Sequence, residues 1–259
     1  MRERLKDKVA LITGSDSGIG RAIAIAYAAE GAKVVVTYHT DEDGGRQTVA
    51  QISDSGGDAI CFRLDVTDEE IVAAVFEQII QTYGRLDILV NNAGTNGSGV
   101  PVAKMSTSTF DTCLKVNLYG PFFCCREYLQ RRRNGSSEGN IIFVSSIHEE
   151  VNTAGNADYN ASKAGLKNFS RSLALELADK NIRVNNIAPG MILTEMNQEA
   201  VDDEAVRKEK AQHIPMKRAG KPADVAHIAV FLASSDSSYV TGATYVVDGG
   251  LMIHLGQGA

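Results

Sequence analysis

Val9-Ala-Leu-Ile-Thr13 is a short apolar run that breaks into Gly14-Ser-Asp-Ser-Gly18-Ile-Gly20 and then into a helical stretch over residues 21–30. Strand, glycine-rich turn and helix in that order aim backbone N–H groups and a helix N-terminus at one point, the arrangement that receives a pyrophosphate. The glycines let a ligand approach the backbone. The spacing is G-x-x-x-G-x-G rather than the G-x-G-x-x-G of the usual dinucleotide fingerprint, so the generic motif is half matched. A glycine-rich turn that holds no ligand stays open as the plainer reading.

The chain continues as such an opening requires. Residues 33–38 read as a second strand, with 60–64 and 86–90 as the next two. Ile71, Val72, Val75, Phe76, Ile79 and Ile80 repeat at three to four residues and predict an amphipathic helix over 68–83. Strands alternating with helices of this length imply an α/β fold with a parallel, doubly wound sheet and right-handed crossovers. With 259 residues the chain fits one domain spanning residues 1–259. Ligands on such sheets lie beyond the carboxyl ends of the strands, where the strand order reverses. Three loops converge there: 14–20, Asp65-Val66 and Asn91-Asn-Ala-Gly94.

The end of the second strand bears on which dinucleotide binds. NAD sites carry Asp or Glu about 20 residues after the first glycine, and a basic side chain suits the NADP phosphate. This chain has Thr37-Tyr38-His39-Thr40, with neither an acid nor an arginine. His39 and Thr40 offer hydrogen bonds to a 2′-phosphate while Asp16 opposes one, so the balance tips towards NADP with NAD also usable. A solvated loop histidine is the alternative for His39.

A net charge of −6 argues against a non-specific nucleic-acid binder. The four cysteines show no C-x-x-C spacing, and no metal site is expected. Reduced thiols, a charged N-terminus without the apolar run of a signal peptide, and no stretch near a membrane span predict a cytoplasmic protein.

Chemistry concentrates in the second half. Tyr159 and Lys163 lie four apart in Asp158-Tyr-Asn-Ala-Ser-Lys163, which sets a phenol and an ammonium on one helix face. A free tyrosine titrates near roughly 10, and a nearby cation stabilises its phenolate. Such a pair exchanges a proton with an alcohol or a carbonyl; a solvated surface pair is the alternative. Residues 140–145 form a strand that delivers Ser146, 13 residues before Tyr159, to the same sheet edge. His148-Glu149-Glu150 follow in a loop that would line a substrate pocket. Residues 110–133 read as one long helix carrying Asn117, apolar almost all round at its middle, and this predicts a subunit interface. Arg131-Arg-Arg133 at its end read as favourable charge at a helix C-terminus or as a dock for an acidic partner.

Thr13-Gly-Ser-Asp-Ser-Gly-Ile-Gly20, Asn91-Asn-Ala-Gly94, Asn117, Ser146, Tyr159-Asn-Ala-Ser-Lys163 and Pro189-Gly190 with Thr194, in this order, resemble the short-chain dehydrogenase/reductase family. The match covers nearly the whole chain, and in that family the G-x-x-x-G-x-G spacing is the expected one. The resemblance implies a seven-stranded Rossmann-type sheet, usually in a homotetramer. It implies Tyr159 as general acid/base, Lys163 on the nicotinamide ribose and lowering the tyrosine pKa, Ser146 orienting the substrate oxygen, and Asn117 supporting a water relay. It also implies cofactor contacts from Gly14, Ser17, Gly18, Ile19, Gly20, His39, Asp65, Val66, Asn92, Ala93, Gly94, Tyr159, Lys163, Pro189, Gly190, Ile192 and Thr194, and substrate contacts from Ser146, His148 and Tyr159. The intact set argues for an enzyme over a regulator that binds NADP without turnover.

Within the family, Ser145-Ser-Ile-His-Glu149, Arg183-Val-Asn-Asn-Ile-Ala-Pro-Gly190, Ile214-Pro-Met216 and Ser238-Tyr-Val-Thr-Gly-Ala243 are most similar to bacterial glucose 1-dehydrogenases. That implies an aldose as substrate, with a 3-oxoacyl-carrier-protein reductase as the rival. Those enzymes often carry a glutamate shortly after N-N-A-G and an arginine after the second strand, where this chain has Asn96 and His39. Residues 191–217, polar and acidic at their centre, are expected to form a lid over the substrate. The tail 249–259 is expected to pack at a subunit interface.

Overall fold

β1 (Val9–Ile12) is buried at every position. It lies inside a seven-stranded parallel sheet with β2 (Lys33–Tyr38), β3 (Asp58–Arg63), β4 (Ile88–Asn91), β5 (Gly139–Val144), β6 (Ile182–Pro189) and β7 (Thr244–Val247). Their order is β3-β2-β1-β4-β5-β6-β7, so the direction of winding reverses between β1 and β4. This is a computed structural model, and it describes residues 3–132 and 138–254.

Side chains alternate across a strand. Val9 and Leu11 therefore enter one core with Val72, Phe76, Tyr128 and Leu166, while Ala10 and Ile12 enter a second with Ile23, Tyr27, Val225 and Val230. Helices α1 (Gly18–Ala29), α2 (Glu42–Asp54) and α3 (Glu69–Tyr83) follow the first three strands. α3 illustrates the local logic. Asp68 caps it by accepting from the amides of Glu70 and Ile71 at 2.9 and 3.1 Å, and Gly84 ends it at φ 72°.

The helix expected over 110–133 is divided. α4 (Thr107–Leu114) runs into a π turn, Lys115–Tyr119, and then into α5 (Gly120–Gln130). The backbone stays right-handed helical through Leu114, Lys115 and Gly120, so the apolar pattern is unbroken and does not betray the extra residue in the turn. Arg133 lies outside the described residues, as does the tail 255–259.

Beyond β5 come α6 (Ala157–Leu177), β6, the segment expected as a lid, and then α9 (Pro222–Ala233), β7 and α10 (Leu251–His254). The lid segment holds α7 (Gln198–Asp202) and α8 (Glu204–Gln212). Its two ends are stapled together, with Leu193 N donating to Gly220 O at 3.0 Å and Gly220 N to Met191 O at 2.9 Å. No helix among the described residues is long and apolar enough to cross a membrane.

Candidate active site

The carboxyl ends of β1, β2, β4, β5 and β6 surround a cavity of about 990 Å³. At its floor the glycine loop is locked to its neighbours. Thr13 Oγ1 accepts from the amides of both Asn92 and Ala93 at 2.9 Å, and Gly14 N donates to Thr37 Oγ1 at 3.1 Å. Asn92 Nδ2 donates to the carbonyls of Thr13 and Gly14 at 2.9 and 2.8 Å. A Cβ on Gly20 would stand 2.1 Å from Gly14 O and 2.6 Å from Asn92 Nδ2, so this helix start admits glycine alone.

Gly14, Ser17, Gly18, Ile19, His39, Asp65, Val66, Asn92, Ala93, Gly94, Pro189, Gly190, Ile192 and Thr194 all line the cavity. Ser146, His148, Tyr159 and Lys163 line its other end, and two expected site residues do not reach the surface of the cavity. Gly20 is buried beneath the loop, and Asn117 is 1% exposed. From the π turn Asn117 Oδ1 accepts from Thr95 N at 2.8 Å, and Nδ2 donates to Thr95 O and Ser162 Oγ, both at 3.1 Å. It pins the loop after β4 to α6. A Cβ on Gly94 would sit 3.2 Å from Asn117 Oδ1 and 3.6 Å from Lys163 Nζ, which marks how closely these groups gather.

Ser146 Oγ accepts from His148 N at 3.2 Å and so caps the 3₁₀ turn Ile147–Glu149. His148 Nδ1 lies 2.8 Å from Val151 O. A carbonyl only accepts, so Nδ1 holds the proton and Nε2 is left as an acceptor. The His148 ring packs edge-on against Tyr159, centroids 5.8 Å apart. Lys163 Nζ stands 5.5 Å from the Tyr159 ring centroid and donates to Val144 O at 3.2 Å.

Burial pushes the Lys163 ammonium down to about 8. The expected lowering of Tyr159 is not what the pocket produces. Burial raises the phenol above its ordinary value, and a hydrogen bond with Ser146 opposes that rise without overcoming it. At neutral pH this pair is a phenol beside an ammonium, a proton donor for a carbonyl. Asp16 is raised by its own burial, with Asp41 and Glu195 adding to the rise. His39 stands 3.4 Å from Asp65 Oδ2 at the end of the cavity beyond β2.

Two contributors escaped sequence reasoning. Asp158, 1% exposed, accepts from Tyr159 N at 2.9 Å and Ser98 N at 3.1 Å, and an acid in the first turn of a helix was the available signal. Asn96 Nδ2 donates to Met196 O at 3.1 Å, strapping the loop after β4 to the segment 191–217, and nothing in sequence marks such a contact. Glu149 and Glu150, expected with His148 to line the pocket, do not reach the cavity, and Glu149 is 7% exposed in the turn Ile147–Glu149. The arginines at the end of α5 are engaged within the molecule: Arg131 binds Glu127 and donates to Ala73 O at 3.1 Å, and Arg132 donates to Tyr128 Oη at 2.8 Å.

Residues 14–252 match a family model described as enoyl-(acyl carrier protein) reductase. The whole chain is 40% identical over 257 residues to glucose 1-dehydrogenase 2 of Bacillus subtilis (strain 168), covering 99% of each. The chain belongs to the short-chain dehydrogenase/reductase family. Within that family it is also 42% identical over 256 residues to 3β-hydroxysteroid dehydrogenase 1 of Eggerthella lenta, covering 99% of this chain and 98% of that one. The crystal structure of a gluconate 5-dehydrogenase from Burkholderia cenocepacia with NADP and tartrate superposes with a TM-score of 0.89 at 31% identity, over 97% of this chain and 98% of that one. As a short-chain dehydrogenase/reductase, the protein is an NAD(P)-dependent oxidoreductase acting on alcohol and carbonyl groups. Its own residues fit such a cofactor: the Gly20 cradle and the cavity along the strand ends suit a dinucleotide.

Proposed function

We propose that the protein interconverts a polar secondary alcohol, an aldose at its anomeric hydroxyl, with the corresponding carbonyl, a lactone for the aldose. The observation that carries this reading is the joining of Ser146, Tyr159, Lys163 and the Nε2 acceptor of His148 at one end of the cavity. The nicotinamide, when bound, takes or gives the hydride; the chain supplies orientation and a proton path. Gly14 to Gly20, Asn92 to Gly94, Asp65, Val66 and Pro189 to Thr194 hold the dinucleotide. Tyr159 donates its proton to a carbonyl oxygen in reduction and, as phenolate, takes the hydroxyl proton in oxidation. Ser146 holds that oxygen, and its fixed role as cap of the following turn keeps Oγ in place. Lys163 binds the ribose and keeps positive charge near the phenol.

His148 Nε2 accepts from a further substrate hydroxyl, and Asn96 and Asn156 add polar surface to the lining. Met191, Met196 and Leu251 add apolar surface beside them, so it is these polar groups that favour a sugar. The rival, reduction of a 3-oxoacyl group on a carrier protein, draws support from the acyl-carrier description of the matching family model. The internal pairing of Arg131 and Arg132 weighs against their serving as a carrier dock. A parallel assay separates the two: aldoses and polyols with NADP or NAD, and acetoacetyl thioesters with the reduced cofactors, followed by nicotinamide absorbance. Turnover of an aldose is expected; silence on every sugar with rapid oxidation of NADPH by the thioester would transfer the protein to fatty-acid chemistry.

We also infer a homotetramer. Tyr119 and Phe122 at the α5 end of the π turn are 52% and 40% exposed, and Val246 on edge strand β7 and Ile253 on α10 are exposed as well. Apolar exposure at these two places in the chain suits two isologous contacts and a dimer of dimers.

A further inference from the structure

Behind the turn that follows Ser146 lies a buried ionic cluster. Glu149, 7% exposed, accepts from Asn186 Nδ2 of β6 at 2.5 Å and pairs with Lys167 of α6 at 3.4 Å. Lys167 is itself 7% exposed and also binds Glu150. Asn186 is fully buried, and its Oδ1 has no hydrogen-bond partner, so its amide is held in place chiefly by what the Nδ2 group reaches. A charge pair taken out of water is costly unless its geometry is well satisfied, and breaking it by removing one partner is strongly destabilising. Glu149 Oε1 and Oε2 thus join three separate elements: its own turn, α6 one helical turn past Lys163, and β6. Ser146 and His148 ride on the first of these, Tyr159 and Lys163 on the second.

We propose that Glu149 is a positioning residue of this active site. Its buried carboxylate clamps the Ser146–His148 turn against the Tyr159–Lys163 helix and against β6. The inference rests on the reading of Ser146, Tyr159 and Lys163 given above. The groups facing Lys163 are Glu149 from the turn, Cys113 from α4, and Tyr159 on its own helix. Of these Glu149 is the carboxylate, and its charge is shared with Lys167 one turn on. The sign follows. Removing the Glu149 charge makes Lys163 lose its proton at lower pH, whereas removing the Lys167 charge leaves Glu149 to support Lys163 more fully.

The test uses the full-length protein and whichever alcohol or carbonyl it turns over. Glu149→Gln is expected to lower kcat about tenfold or more and to move the basic limb of the pH–rate profile down by about half a pH unit. Lys167→Met is expected to move that limb up, and Glu149→Asp, which keeps the charge, to leave it in place while still lowering kcat. A Glu149→Gln protein that unfolds at lower temperature yet keeps wild-type kcat and pH limbs would reduce Glu149 to a structural residue and overturn the proposal. Thermal unfolding of the two single variants and the double variant reads the clamp without any substrate; additive effects would equally overturn it. Tyr159→Phe serves as the control, since retained turnover there removes the reading of the site, and the unfolding cycle then still decides whether the clamp exists.

Discussion

At Lys163 the requirements of chemistry and of folding pull apart. The ammonium is 4% exposed, and burial lowers it from its ordinary 10.5 to about 8. A lysine with a depressed folded value weakens the fold below that value, and the penalty is relieved as pH rises from about 8 towards the unfolded value. Lys163→Met should therefore raise stability at pH 7 by about 1–2 kcal/mol, less than the full shift because the hydrogen bond to Val144 O is lost, while turnover disappears. Thermal unfolding at pH 7 and again near pH 10 checks this, with the gain shrinking at the higher pH; a loss of stability at pH 7 would contradict it. For the same reason reduction of a carbonyl, which needs both the phenol and the ammonium, should be flat around neutrality and fall as pH passes about 8. Gly20→Ala tests the other end of the cavity: the added Cβ meets Gly14 O at 2.1 Å, and cofactor affinity should drop at least about a hundredfold in a fluorescence titration. Tyr159, Lys163, Ser146 and the glycine loop were legible because a short spacing or an order of motifs places them together. The raised phenol was not, since burial is a property of the assembled pocket.

Among the elements, the α4–π–α5 rod carries most of what sequence patterning failed to convey. Apolar periodicity described a helix over 110–133, and helix continues across the junction, yet the π turn at Lys115–Tyr119 puts one more residue into the rod just where Asn117 must reach the loop after β4. A pattern of burial cannot distinguish i→i+4 from i→i+5 hydrogen bonding over so short a span. Asn117→Ala removes the contacts to Thr95 and Ser162 and leaves the half-buried backbone N–H and C=O of Thr95 without their side-chain partner. A loss of about 2–3 kcal/mol is expected, with a kcat deficit larger than any rise in KM, read from chemical denaturation and steady-state kinetics. By contrast the strands were legible to within two residues. Parallel strands buried on both faces appear as continuous apolar runs, and Val9–Ile12 and Ile88–Asn91 are buried throughout. The strap from Asn96 to Met196 depends on a tertiary contact a hundred residues away in the chain and left no local trace.

For the molecule as a whole, strand order alone sets the location of the site. The reversal between β1 and β4 opens the crevice at the carboxyl ends, and the loops after β1, β4, β5 and β6 all empty into it. The same architecture leaves Tyr119, Phe122, Val246 and Ile253 exposed, surface that a monomer would leave wet. Phe122→Glu should break the assembly to a smaller species in sedimentation analysis; an unaltered tetramer would remove that helix from the interface. The central claim is that Tyr159 moves the proton while the glycine loop holds the cofactor independently of it. The measurement that bears on it most directly pairs NADPH binding with turnover in Tyr159→Phe, using the best substrate found. The account expects binding within about threefold of wild type with kcat down at least about a hundredfold; a variant that binds NADPH and still turns over at a tenth of the wild-type rate would contradict it.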